Sequence, residues 1–104
     1  MAASPAEGLP PEVQEAFARL RERFVAGLPQ RWQEIESAES GGALQAALHR
    51  LVGAAASYGL RPLGDAAREA QALARQAPTD ATPEALAAAL RRLHRCIDDL
   101  VTVR

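Results

Sequence analysis

Apolar residues recur every three or four positions along almost the whole chain, and that spacing restricts it to packed amphipathic helices. The first stripe runs Val13, Phe17, Leu20, Phe24, Leu28, Trp32, Ile35. A second comprises Leu44, Ala47, Leu48, Leu51, Ala55 and Tyr58, and a third Leu63, Ala66, Ala67, Ala70, Leu73 and Ala74. The last carries Leu86, Ala89, Leu90, Leu93, Ile97, Leu100 and Val101. No segment alternates apolar and polar residues with period two for long enough to make a strand. Frequent alanine and sparse β-branched residues favour helix as well. The expected fold class is all-α.

Proline and glycine punctuate these stripes. Pro10 and Pro11 suit a first helical turn, where proline has no needed N–H to lose. The first stripe keeps its phase across Gly27 and Pro29. This predicts one long helix to about Glu39, kinked near Pro29, rather than two helices and a loop. Ser37 to Gly42 breaks it. A second helix follows from about Gly42 to Tyr58, with Gly59 placed for a left-handed C-terminal cap. Pro62 falls early in a third helix. Ala77 to Ala81, with Pro78 and Asp80, reads as a short loop, and Thr82-Pro83 as the N-cap and first residue of the last helix. Short loops between four amphipathic helices predict an antiparallel four-helix bundle over residues 10–104, preceded by a flexible arm over 1–9.

Composition removes several function classes. The 12 basic residues, all arginine, nearly balance 13 acidic ones, so no single-sign field exists to hold nucleic acid or an anionic membrane. Cys96 is the one cysteine, which excludes an internal disulfide and a CxxC metal site and fits a reducing cytoplasm. No apolar run approaches the ~20 residues that cross a bilayer, and no signal peptide opens the chain. A cytoplasmic domain is expected. The surface stripes give no case for an oligomer, so a monomer is expected too.

Two histidines are the main candidates for chemistry. His49 points about 140° from the stripe of its own helix, toward solvent. Ala46, Gly53 and Ala56 are its neighbours on that face, and all are small. A glycine inside a helix costs about 1 kcal/mol relative to alanine, so Gly53 calls for an offsetting reason. Either the imidazole stands on a flat strip over which a partner closes, or it is an ordinary surface histidine and Gly53 admits a neighbouring helix. His94 lies near the edge of the last stripe among arginines, with Asp98 four residues on, and reads as a boundary histidine paired with that carboxylate. Trp32 and Phe24 read as core and Cys96 as a buried, inert thiol. Glu12, Glu15, Glu34 and Glu36 read as a solvated face. Asp98 and Asp99 diverge by about 100° on a helix and lack a third ligand, so no metal site is expected.

The run Leu48-His49-Arg50-Leu51-Val52-Gly53, followed by Gly59-Leu60-Arg61-Pro62-Leu63, resembles a histidine-containing phosphotransfer (HPt) domain. His49, Leu51, Gly53, Gly59 and Leu63 match the family pattern at its offsets, and Phe24 to Ala38 resembles its preceding long helix. The resemblance spans about residues 11–101. It implies that His49 is the phosphoacceptor of a phosphorelay and that Ala46, Val52, Gly53 and Ala56 form a docking surface. Gln71 stands 22 residues after His49, where members often carry a glutamine that hydrogen-bonds the imidazole; on its own it reads equally as a surface residue. One position departs. The family's lysine, which neutralises the phosphoryl group, is Val52 here, and Arg50, about 100° round the helix, is the nearest substitute.

What the resemblance asks of this chain is modest. Phosphoryl transfer depends on positioning and charge stabilisation. A receiver domain, or a hybrid histidine kinase, would bring the aspartate and the Mg²⁺, and this chain no cofactor of its own. Its contribution would be an exposed neutral nitrogen, and an unperturbed imidazole is largely neutral at pH 7. No ATP site accompanies it, so autophosphorylation is not expected. The competing expectation, motivated by Val52, is a pseudo-HPt adaptor that binds a receiver or kinase without phosphotransfer.

Overall fold

The structure is a computed structural model that describes residues 8–76 and 83–103. The expected arm before residue 8, the loop around Pro78 and Asp80, and the Thr82 cap lie outside the described residues. Five helical segments appear: α1 (Pro11–Ala26), α2 (Leu28–Glu36), α3 (Gly41–Ser57), α4 (Arg61–Gln76) and α5 (Pro83–Val103). Among the described residues there is no strand, and no helix is long and apolar enough to cross a membrane.

α1 and α2 are the expected kinked helix. Gly27 alone joins them, at φ −87° and ψ −3°, with its N–H shared among the carbonyls of Arg23, Phe24 and Val25. Its own carbonyl accepts from Arg31 at 3.2 Å, so the hydrogen-bond ladder barely breaks. Pro29 explains the kink, because it has no N–H to donate into the turn before it. α2 stops at Glu36, short of Glu39. There the Ser37 hydroxyl donates back to the Gln33 carbonyl at 2.6 Å, competing with a further turn.

The later boundaries follow from caps. Ser40 accepts the Ala43 N–H at 3.1 Å and starts α3. Gly59 ends it at φ +69°, and Leu60 N–H reaches back to the Ala55 carbonyl at 2.9 Å. That reversal needs a left-handed residue, which glycine supplies without a Cβ clash. Pro62 then sits in the first turn of α4.

α3 packs on α4, α4 on α5, and α2 closes the bundle between α3 and α5. Leu28, Leu48, Leu51, Leu63 and Leu93 are fully buried at its centre. α3 and α4 meet at Gly64, where an added Cβ would lie 3.6 Å from the Ala55 Cβ. α1 lies on the ends of α3 and α5: Phe24 and Phe17 pack on Tyr58 with ring centroids 5.0 and 5.7 Å away, and Val25 faces Leu100 and Val103. The molecule is elongated, 49 × 23 × 21 Å. Part of the first stripe has no bundle beneath it, so Val13 and Leu20 are exposed (46% and 48%) instead of joining the core.

Candidate functional site

His49 sits mid-way along α3 between buried Leu48 and Leu51, and its own side is exposed. That follows from the stripe, because a residue flanked by core positions one before and two after must turn outward. Ala46, Gly53 and Ala56 are exposed beside it, and Val52 is half-buried against the core. A Cβ added at Gly53 would meet nothing within 4 Å, so this glycine does not admit a neighbouring helix. Its effect is to leave bare backbone next to the imidazole.

Gln71 reaches the ring from α4, with its amide nitrogen 3.3 Å from His49 Nδ1. Unlike a surface residue, Gln71 is 93% buried and is the one polar side chain within the described core. Its amide can turn either end to the ring, since oxygen and nitrogen are interchangeable in such a pair. With its oxygen inward it accepts a proton from Nδ1, which leaves Nε2 with a free lone pair on the far side. Gln71 therefore holds the ring's orientation, and the end of its amide that faces Nδ1 sets the tautomer. The nitrogen that remains available is Nε2.

Arg50 turns elsewhere. Its guanidinium lies 3.5 Å from the Glu34 carboxylate on α2, with both side chains more than half exposed. Such a pair holds its partners weakly, by about 0–1 kcal/mol. Glu34 is thus a partner that the sequence spacing did not single out.

His94 occupies a different setting on the α2–α5 side. Its ring stacks on Trp32, 4.3 Å between centroids and 5° from parallel, and Nε2 lies 3.6 Å from Asp98. The pairing with Asp98 agrees with the spacing, whereas the stack on Trp32 comes from interhelical register and leaves no trace in it. Trp32 is half-buried, and its Nε1 is buried without a hydrogen-bond partner. Phe24 is core, with the Arg31 guanidinium 5.1 Å over its ring. Cys96 is only partly buried; burial, reinforced by Asp99, pushes its thiol above the ordinary 9.0 and keeps it protonated at neutral pH. Among the described residues, no cluster of histidine, cysteine or carboxylate side chains could hold a metal ion.

The fold and site together define a class: an all-α helical bundle that presents one imidazole, contacted by a buried glutamine, on an exposed strip of small residues. The sequence model of the Hpt domain matches residues 19–102, and the chain belongs to that family. Hpt domains take part in histidine-based phosphotransfer in two-component systems and interact with receiver domains and histidine kinases. No curated protein and no solved structure matches the chain.

Proposed function

We propose that this chain is a phosphorelay intermediate that accepts a phosphoryl group on His49 Nε2 from a receiver aspartate, or from a histidine kinase, and passes it to another receiver. The carrying observation is the exposed imidazole whose Nδ1 is held by buried Gln71. In the forward step the Nε2 lone pair attacks phosphorus, the acyl-phosphate P–O bond breaks, and the aspartate leaves as carboxylate. The ring keeps its proton on Nδ1, with the Gln71 amide turned so that its oxygen accepts it. Ala46, Gly53, Ala56 and half-buried Val52 form the docking strip that lets the receiver's acid pocket close over the ring. Mg²⁺ belongs to the receiver, and this chain carries no cofactor. Arg50 is the supporting cation, since its weak exposed pairing with Glu34 can be exchanged for a phosphoryl oxygen. The relay operates in the cytoplasm, without nucleic acid or membrane.

The test is transfer from a phosphorylated cognate receiver. Acid-labile label should appear on the wild-type chain and vanish in His49→Gln; label that persists in the variant overturns the reading. Val52 supports a second reading, because a half-buried valine stands where the family carries its neutralising lysine. A pseudo-HPt adaptor would bind a receiver tightly, take no label and be indifferent to His49→Ala.

A further inference from the structure

The relay reading uses α3 and α4 and leaves one face of α1 unexplained. Val13 and Leu20 are 46% and 48% exposed, and Ala16 between them is half-buried. At about 100° per residue these three fall within about 60° of one another on the helix. Phe17 and Phe24 border them on one edge and are already taken up by Tyr58. Arg23, Glu12 and Arg19 border them on the other edge, within about another 60°. All three are exposed, and none has an ion pair among the described residues. Leu9, just ahead of the helix, is exposed as well (43%).

The order of charges along that edge is informative. The acid comes first and the two arginines come last, with apolar residues alongside. A second identical helix laid parallel about a two-fold axis would set this charged edge against the Phe17–Phe24 edge of its partner and leave the charges without opposite partners. Laid antiparallel, with a two-fold axis between Ala16 and Phe17, it sets Val13 of each copy against Leu20 of the other. Glu12 of each copy then falls between Arg19 and Arg23 of the other, and the relation occurs twice. The face is thus self-complementary in one orientation only, in apolar content and in charge.

From this we infer that the chain self-associates through α1 into an antiparallel, two-fold dimer, with a second copy of itself as the partner of the Val13–Ala16–Leu20 face. This departs from the expectation of a monomer, which rested on the surface stripes giving no case for an oligomer. α1 is about 24 Å long, so two such helices bury an area near or below the ~1,200 Å² of the smallest stable interfaces. The dimer is therefore a weak one. The inference does not depend on phosphotransfer by His49, which lies on α3.

Sedimentation equilibrium of the full chain from about 5 to 500 µM tests it. The average mass should rise from that of one chain, 11.1 kDa, toward twice that value. Leu20→Glu should weaken association at least tenfold while helical circular dichroism is unchanged. Glu12→Arg alone, and Arg19→Glu with Arg23→Glu, should each give monomers, whereas an equimolar mixture of the two variants should dimerise again through restored opposite charges. A single-chain mass for the wild type at 500 µM overturns the inference, and so does a dimer indifferent to Leu20→Glu or a mixture that stays monomeric. If the wild type is monomeric and Leu20→Glu instead loses receiver binding, the face belongs to the receiver.

Discussion

At the scale of single residues, the site turns on which group stands next to the phosphoryl position. In the proposed relay His49 is the nucleophile and Gln71 orients it, yet neither carries charge to offset the anion. Val52 occupies the helical position where the family places a lysine, and it packs against the core instead of reaching outward. Arg50 is occupied by Glu34, and moving it forfeits about 0–1 kcal/mol before any gain. Val52→Lys should therefore speed transfer from a phosphorylated receiver, by roughly tenfold if the new ammonium recovers ~1.4 kcal/mol of transition-state stabilisation. Quench-flow transfer rates measure this, and an unchanged rate would mean that the receiver already supplies the charge. Gln71 teaches a related lesson about legibility. Its offset from His49 was readable, but its burial was not, because a glutamine among alanines looks like surface until two helices meet.

Elements set what can approach that imidazole. The Gly59 cap of α3, its proline-marked successor and the kink between α1 and α2 were all visible in sequence, since glycine and proline act through local backbone chemistry, whereas the Ser40 cap was read only as part of a breaker. Interhelical register was not. The Trp32–His94 stack and the Arg50–Glu34 pair depend on how α2 slides along α3 and α5, which a stripe does not encode. Exposure of Val13 and Leu20 escaped for a similar reason, because periodicity identifies an apolar face without telling whether anything lies on it. Gly53 is the element-scale test. With nothing within 4 Å of an added Cβ and a helical backbone, it has no steric reason to be glycine. Gly53→Ala should stabilise the fold by about 0.5–1 kcal/mol. Gly53→Leu should keep the fold at least as stable yet lower receiver affinity at least tenfold, because its side chain stands on the docking strip. Urea unfolding and receiver titration read the two effects separately; normal docking by Gly53→Leu would move the docking surface off this strip.

For the molecule as a whole, stability and function divide between opposite sides of the same helix. Leu48 and His49 are adjacent in sequence, but one is fully buried and the other exposed. A domain of this size is stable by only about 5–15 kcal/mol, and its core here is mostly leucine, isoleucine and alanine, with Phe24 and Val25. Truncating a fully buried leucine removes its transfer free energy and leaves a cavity that neighbouring helices close only in part, at a cost of about 2–5 kcal/mol. Leu48→Ala should therefore lose a large share of total stability while leaving the imidazole one residue away chemically intact. His49→Gln should do the reverse. Much of its side chain stays in solvent but its ring pairs with buried Gln71, so stability should fall by no more than the roughly 1–3 kcal/mol that an unpaired Gln71 amide costs, while acid-labile label disappears. Urea midpoints with unchanged m-values decide the matter. Under conditions where circular dichroism shows Leu48→Ala to be folded, it should still take label on His49 at near the wild-type rate. A Leu48→Ala variant that folds but takes no label would show that the site depends on core packing beneath it, and the two sides of α3 would no longer be separable.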